Sequence, residues 1–328
     1  VDGRVAILGG RNLADEYFGY EDRHNFRDFE LVMSGPFVGR LSEVFDLYWN
    51  DPWSLDIADI HQPDGDWSLA SIQSWLADNA KDHRDLARSK PEDWAALFSL
   101  GYPAKIELMV DAPPDAEHVV EGPVQLAGEL IRRMDDTTED MVLISAYFIP
   151  TQALMEAVER ANRRGVRVRI FTNSLGANNH VSAHAAYAAH RPALLAAGAE
   201  IYELRPDAAS RSYYLEPETV ATQLGLHEKG ALFDNCCLFI GSANLDPRSL
   251  RLNTEVGIFI DSPALNARLR QMLATDLMPP NAWKVVLGDS GEVLWIGPQG
   301  EQRHAPPASF YLRLESWFFG LLPIESQL

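Results

Sequence analysis

His227-Glu-Lys229-Gly-Ala-Leu-Phe-Asp234, followed by Gly241-Ser242-Ala243-Asn244 and by Glu255 within Leu-Asn-Thr-Glu-Val, is the stretch that decides the fold. A histidine and a lysine two positions apart on a strand project to the same face, because successive strand side chains alternate. An imidazole and an ammonium then converge, which is the outline of a site for a phosphodiester. A lone His-x-Lys is most often a solvated strand face. What lifts this one above that reading is an echo elsewhere in the chain.

Asp2 is followed by Gly9-Gly10-Arg11-Asn12 as Asp234 is followed by Gly241-Ser242-Ala243-Asn244, so both copies carry Gly at +7 and Asn at +10. Each continues into a strand and a helix opened by proline: Asp28-Phe-Glu-Leu-Val-Met-Ser-Gly-Pro36 in one, Glu255-Val-Gly-Ile-Phe-Ile-Asp-Ser-Pro263 in the other. The longer span from Asn12 to Pro36 implies an insertion between Leu13 and Asp28. Internal similarity of this kind predicts two related halves.

His-x-Lys-(x)4-Asp with a following Gly-Ser-x-Asn resembles the phospholipase D superfamily. Gly9-Gly-Arg-Asn12-Leu, Arg27-Asp28-Phe-Glu-Leu, Phe45-Asp-Leu-Tyr-Trp49-Asn, Ser145-Ala-Tyr-Phe-Ile-Pro150 and Leu321-Leu-Pro-Ile-Glu-Ser narrow it. They look like bacterial cardiolipin synthases of the C type. The resemblance implies an α/β fold of two related halves with mostly parallel central sheets. By the repeat, Asp2 closes a first motif whose His and Lys would precede Val1, so the chain reads as a C-terminal fragment with the first half truncated. On its own such a fragment is expected to be inactive.

A phosphodiester is anionic and its alkoxide leaves poorly, so cleavage needs a nucleophile, a proton donor and cationic neutralisation. The resemblance implies a phosphohistidine intermediate built by one of two histidines, with lysines on the non-bridging oxygens, no metal and no cofactor. It makes His227 one of the two, inclining to the general acid/base, and Lys229 the phosphate clamp. Asn244 and Asn12 would donate to phosphate oxygens, with Ser242 as a one-sided addition. Glu255 would orient His227 through its second ring nitrogen, as Asp28 would in the first half. Asp234 and Asp2 would support strands. The implied substrates are phospholipids, phosphatidylglycerol and also phosphatidylethanolamine, at the cytoplasmic side of a bacterial inner membrane. Hydrolysis to phosphatidic acid is the alternative within enzymes, and an inactive scaffold the alternative outside them.

The formal net charge of −19 over 328 residues argues against a nucleic-acid substrate, since backbone affinity depends on clustered Lys and Arg. Arg132-Arg133, Arg163-Arg164 with Arg167 and Arg169, and Arg248 with Arg251 are candidate local exceptions, although solvated faces explain such runs more often. Cys236 and Cys237 are adjacent, with Cα atoms about 3.8 Å apart across one peptide. That is shorter than ordinary disulfide geometry, so free thiols are expected. No stretch reaches the roughly 18 apolar residues of a membrane span. The aromatic segment from Ser309 onward suits either docking at a headgroup boundary or capping the core.

Along the chain, Met141–Ser145, Val166–Ile170 and Ala199–Leu204 alternate with helical periodicity to give a βαβαβ run. Residues 1–112 are taken as the remainder of the first half with an insertion at about 50–100, 113–288 as the second half, and 289–328 as a hairpin and amphipathic tail. His180 and His184 lie four apart but lack a third metal ligand in spacing. His184, Tyr187, Tyr147 and Phe148 are candidates for lining a headgroup pocket, with core packing the plainer reading.

Overall fold

The computed structural model describes residues 1–60, 68–79, 98–112, 125–215, 217, 222–306 and 308–322. Contacts divide the chain into two units, residues 1–41 with 104–328, and residues 42–103. In the larger unit, chain order begins with β1 (Val5–Gly9), a 3-10 turn at Asp15–Tyr17, β2 (His24–Arg27), β3 (Glu30–Ser34) and α1 (Phe37–Trp49), whose second half belongs to the smaller unit. The smaller unit also holds α2 (Ile57–Ile60) and α3 (Leu69–Asn79), with Trp49, Trp53 and Trp75 exposed. The break read at Ala112-Pro-Pro-Asp115 and the terminal Pro-Ile-Glu-Ser lie largely outside the described residues.

The larger unit resumes with β4 (Lys105–Val110), α4 (Gln125–Asp136), β5 (Asp140–Ser145), α5 (Gln152–Arg163), β6 (Arg167–Asn173), α6 (Val181–Ala196) and β7 (Glu200–Leu204). After it come β8 (Gln223–Leu226), β9 (Lys229–Phe233), β10 (Cys237–Gly241), α7 (Pro247–Arg251), β11 (Val256–Asp261), α8 (Pro263–Asp276), β12 (Ala282–Leu287), β13 (Val293–Gly297), β14 (Gly300–Gln302) and α9 (Phe310–Phe319). Among the described residues, ten strands form one sheet in the order β14-β13-β12-β7-β6-β5-β9-β10-β11-β4.

This α/β sheet is mixed, where mostly parallel strands were expected. Only β5–β6 and β6–β7 pair in parallel, across the helical crossovers that parallel neighbours require. The remaining pairs are antiparallel. Two causes are visible: the short turns β9–β10, β12–β13 and β13–β14 are hairpins, and β9 enters beside β5 running against it. Both faces of the sheet are buried, and the alternation is plain in β5. Met141 and Leu143 join the core under α4 and α5, whereas Val142 and Ile144 join the opposite core with β1, β3 and Leu273 of α8.

The internal repeat is carried into three dimensions. β1 pairs antiparallel with β3 from Val5↔Ser34 to Gly9↔Glu30, and β10 pairs with β11 from Cys237↔Asp261 to Gly241↔Gly257. These are the same register under the sequence alignment of the two copies. Asp2 and Asp234 are the non-glycine residues with positive φ among those described, at 51° and 43°. Asp234 uses that left-handed turn to accept hydrogen bonds from the backbone of Thr138, Glu139 and Asp140, at 3.1, 2.7 and 3.1 Å, which joins the β9–β10 turn to the start of β5. Burial alone would raise its pKa; these donors outweigh that and leave it lowered.

Cys236 and Cys237, expected as free thiols, are joined as a vicinal disulfide with Cα atoms 3.7 Å apart. The hairpin turn they occupy brings the two sulfurs together although their Cα spacing lies below the usual range. The arginine runs resolve mostly into ion pairs: Arg132 with Glu129 and Asp136, Arg133 with Glu107, Arg167 with Glu200, Arg169 with Asp140. No helix among the described residues is long and apolar enough to cross a membrane.

Candidate active site

His227 sits between β8 and β9, where two strand systems meet. β2 pairs in parallel with β8 from His24↔Gln223 to Arg27↔Leu226, and the pairing is extended by the His227 amide donating to the Arg27 carbonyl at 2.9 Å. A dipeptide from each half, Arg27-Asp28 and His227-Glu228, is thereby set side by side. Because side chains alternate, they match twice, once on each face. Asp28 Oδ2 lies 2.8 Å from His227 Nδ1, and Arg27 donates to both Glu228 oxygens at 2.8 and 3.1 Å.

On the buried face, Arg27 also reaches Asp276 at 2.9 Å and stacks on Tyr214, 4.3 Å from the ring centroid. Burial pushes Glu228 up to about 7 against the pull of Arg27. Removing one partner from such a buried pair leaves an uncompensated charge, which makes it a rigid underpinning for the residue beside it. A second buried clamp fixes the approach to His227. Asn173, at the end of β6, donates to the carbonyls of Ala146 and Leu226 at 3.1 and 2.8 Å and accepts from Leu226 N at 2.7 Å.

On the working face, Lys229 Nζ lies 3.1 Å from His227 Nε2 and donates to the His227 carbonyl at 2.6 Å. With Nε2 facing an ammonium and Nδ1 facing a carboxylate, the ring carries its proton on Nδ1 and a lone pair on Nε2. Burial lowers the His227 pKa, with Asp28 opposing and the Lys229 charge adding to the effect. Burial likewise brings Lys229 down to about 8, against the attraction of Asp28, Glu255, Asp246 and Glu228. Gly10 closes over this pair. A Cβ there would come within 2.9 Å of Lys229 Cδ and 3.5 Å of the Asp28 carboxylate.

The carboxylate on the His227 ring is therefore Asp28, where the sequence reading expected Glu255. The β2–β8 pairing delivers Asp28 to that nitrogen, whereas Glu255 stands at the head of β11, two strands away from β9. Glu255 accepts from the Ser242 hydroxyl and from Asn253 at 3.1 Å. The Ser242 hydroxyl, expected on phosphate, also accepts from Val256 N at 3.0 Å, so it is engaged in holding the β10–β11 corner.

Asn12 donates to the Tyr17 hydroxyl at 3.1 Å, and Tyr17 meets His227 edge-on at 4.8 Å. The Asn244 Oδ1 atom is buried without a hydrogen-bond partner among the described residues. Tyr17, Arg11, Arg27, Glu228 and Asn173 were missed by the sequence reading. Tyr17 lies in the segment treated as an insertion, and Arg11 holds it there by donating to its carbonyl while reaching the Asp28 carbonyl at 3.2 Å.

The other candidates are engaged in contacts of their own. His184 is buried against Arg191 at 3.2 Å, and Tyr187 donates to Glu203 at 3.0 Å in a network closed by Trp295. They are core, not pocket. His180 stands apart from His184 at the exposed start of α6, edge-on to Tyr147 at 5.3 Å.

Residues 130–277 match the family described as "Cardiolipin synthase, PLD-like domain". Cardiolipin synthase C of Escherichia coli (strain K12) is 33% identical over 341 residues, covering 99% of this chain and 71% of that protein. Cardiolipin synthase A of Pseudomonas entomophila (strain L48) is 28% identical over 84% of this chain, which spans 46% of its length. Among solved structures, phosphatidylserine synthase of Haemophilus influenzae Rd KW20 superposes with a TM-score of 0.58 at 13% identity, covering 100% of this chain and 70% of that one. That last likeness is one of fold.

Proposed function

The chain belongs to the phospholipase D-like cardiolipin synthase family, and on that premise we propose that His227, Lys229 and Asp28 act on a phospholipid phosphodiester, passing a phosphatidyl group to the hydroxyl of a second lipid to make cardiolipin. One observation carries the reading: the His227 imidazole is held at Nδ1 by a carboxylate from the other half while Nε2 faces a buried ammonium. Neither arrangement serves packing, since both charges are taken from water at a cost that hydrophobic residues would avoid. Both serve a phosphoryl group.

In the proposed scheme one imidazole attacks phosphorus, giving a phosphohistidine and an alkoxide that takes a proton from the other imidazole. The acceptor hydroxyl then returns a proton to that second imidazole as its oxygen displaces the first. His227 takes the acid/base part: the phosphate anion seated at Lys229 favours a second proton on Nε2, the alkoxide takes that proton and the acceptor hydroxyl returns one, while Asp28 holds Nδ1–H throughout so that Nε2 alone exchanges protons. Lys229 neutralises the non-bridging oxygens, and Asn244 and Asn12 donate to them.

Glu255 occupies the position of Asp28 under the repeat. It is proposed to hold the attacking histidine, supplied by a His-x-Lys ahead of Asp2 in the whole protein. The chain alone, with one such motif, is proposed to be inactive. The protein is proposed to work peripherally on the cytoplasmic face of a bacterial inner membrane, with phosphatidylglycerol as a substrate and phosphatidylethanolamine as a further one.

The test is product analysis. Whole protein incubated with labelled phosphatidylglycerol, with and without phosphatidylethanolamine, is expected to yield cardiolipin. Phosphatidic acid as the main product would replace transfer by hydrolysis, and no product from any lipid would favour a scaffold.

A further inference from the structure

A second cluster of cationic and donor groups lies where β7 and β13 end, β12 begins and the chain runs on into α9. It surrounds a cavity of about 650 Å3 and shares no residue with the His227 site. Arg205, 7% exposed, gives Nε and one amino group to Asp207 at 3.0 and 2.8 Å, and stacks on Trp283 with 4.7 Å to the ring centroid. Its remaining amino group, NH1, is buried with no hydrogen-bond partner among the described residues, and so is the indole nitrogen of Trp283, a residue 2% exposed. Gly297 lets the backbone lie close to that edge of the indole, since a Cβ there would come within 2.8 Å of the nitrogen.

Two buried donors without acceptors are costly, roughly 1 to 3 kcal/mol each, and such groups in a native protein mark a place where something binds. Both belong to side chains that line the same cavity, and both are donors, so the group they await is an acceptor. Its charge follows from the rest of the lining. Arg303 and Arg313 join Arg205 against the single carboxylate of Asp207, in a chain whose net charge is −19. Ser309 caps the ten-residue helix α9 by accepting from Leu312 N at 3.1 Å, so the positive end of that helix opens onto the cavity as well.

We propose that this cavity is a second phosphate-binding site, and that its occupant is the headgroup phosphate of an anionic phospholipid at a membrane surface. Inorganic phosphate has the same chemistry for the donors, but α9 distinguishes the two. The helix has no buried residue, and Phe310, Tyr311, Leu314, Trp317 and Phe318 are all exposed, while Arg313 of the same helix lines the cavity. An apolar, aromatic helix beginning at the rim of a phosphate pocket fits the boundary between headgroups and acyl chains. The site would seat the enzyme on acidic membrane without passing lipid to His227.

The test is flotation of the protein with vesicles of phosphatidylcholine, with and without phosphatidylglycerol, alongside calorimetric titration with inorganic phosphate. Wild-type protein is expected to prefer the phosphatidylglycerol vesicles by roughly tenfold or more. The exposed pair Arg303→Gln/Arg313→Gln is expected to abolish that preference. Trp283→Phe, which deletes one donor and part of the buried indole, is expected to weaken it severalfold, read well below the lowered unfolding midpoint that the void brings. Lys229→Met is expected to keep it, which separates failure here from failure of the transfer reading. Equal preference in the Arg303/Arg313 and Trp283 variants would overturn the site. Calorimetric binding of inorganic phosphate, lost in those variants, without vesicle preference would overturn the lipid as its occupant.

Discussion

Lys229→Met is expected to lower phosphatidyl transfer by roughly a thousandfold while leaving the fold at least as stable as the parent. The loss follows from removing the cation that meets the phosphoryl oxygens, and removal of one preorganised group at a developing charge costs on that order. The stability gain follows from burial. Lys229 is 6% exposed and its pKa is brought from 10.5 to about 8, so the folded chain holds a charged ammonium at neutral pH only at a cost. The sign can be worked through. Between pH 8 and 10.5 the unfolded state binds more protons than the folded one, so stability rises with pH across that window.

Below pH 8 the penalty is present in full, and a neutral side chain of similar length removes it, about 3 kcal/mol. Urea unfolding at pH 7 reads the gain and lipid product analysis reads the loss. The same pKa sets an alkaline limb. Transfer by the wild-type protein is expected to fall tenfold per pH unit above about 8, and Lys229→Arg is expected to move that limb upward. A variant that destabilised the fold and retained activity would make Lys229 a packing residue.

Asp28→Asn is expected to be the second large effect, a loss of roughly a thousandfold in turnover with little change in lipid affinity. The amide keeps the shape but cannot stabilise an imidazolium at Nδ1, and it can turn the ring to the wrong tautomer. The readout that separates this from a structural lesion is the nitrogen spectrum of His227. Its ring shifts and titration are expected to change in Asp28→Asn and to stay unchanged in Glu255→Gln, because Glu255 contacts Ser242 and Asn253 instead. The reverse pattern would return the orienting role to Glu255.

How much of this was legible in the sequence depends on the separation of the partners. The repeat could be read because its marks are local: Asp, Gly at +7, Asn at +10 and the proline that opens a helix all fall on one short segment, and the two segments adopt one register. The βαβαβ run from β5 to β7 was legible for the same reason, as was the hairpin of β12 and β13. The direction of the outer strands was not, because periodicity reports burial and not pairing.

The site was legible in composition and illegible in wiring. His227 and Lys229 are two residues apart and declare themselves, but the carboxylate that holds His227 lies 199 positions away. It arrives through a parallel pair of four-residue strands, β2 and β8. Neither strand is long enough to show alternation, and β2 lies in a stretch that looked like an insertion. By symmetry of the two halves, Glu255 was the natural choice for His227. The fold crosses the halves instead, so that the first half carries the carboxylate for His227 of the second. Asn173 and the Arg27–Glu228–Asp276 network were hidden for a related reason: a buried polar residue is indistinguishable from a surface one until its partners are known.

The measurement that tests the central claim most directly is transfer by the whole protein carrying His227→Ala, compared with wild type on labelled phosphatidylglycerol. The expected result is cardiolipin from the wild type and none above background from the variant, with both proteins showing the same unfolding midpoint. Wild-type turnover in the folded variant would contradict the account, because it would leave Lys229 and Asp28 converging on a side chain that does no chemistry.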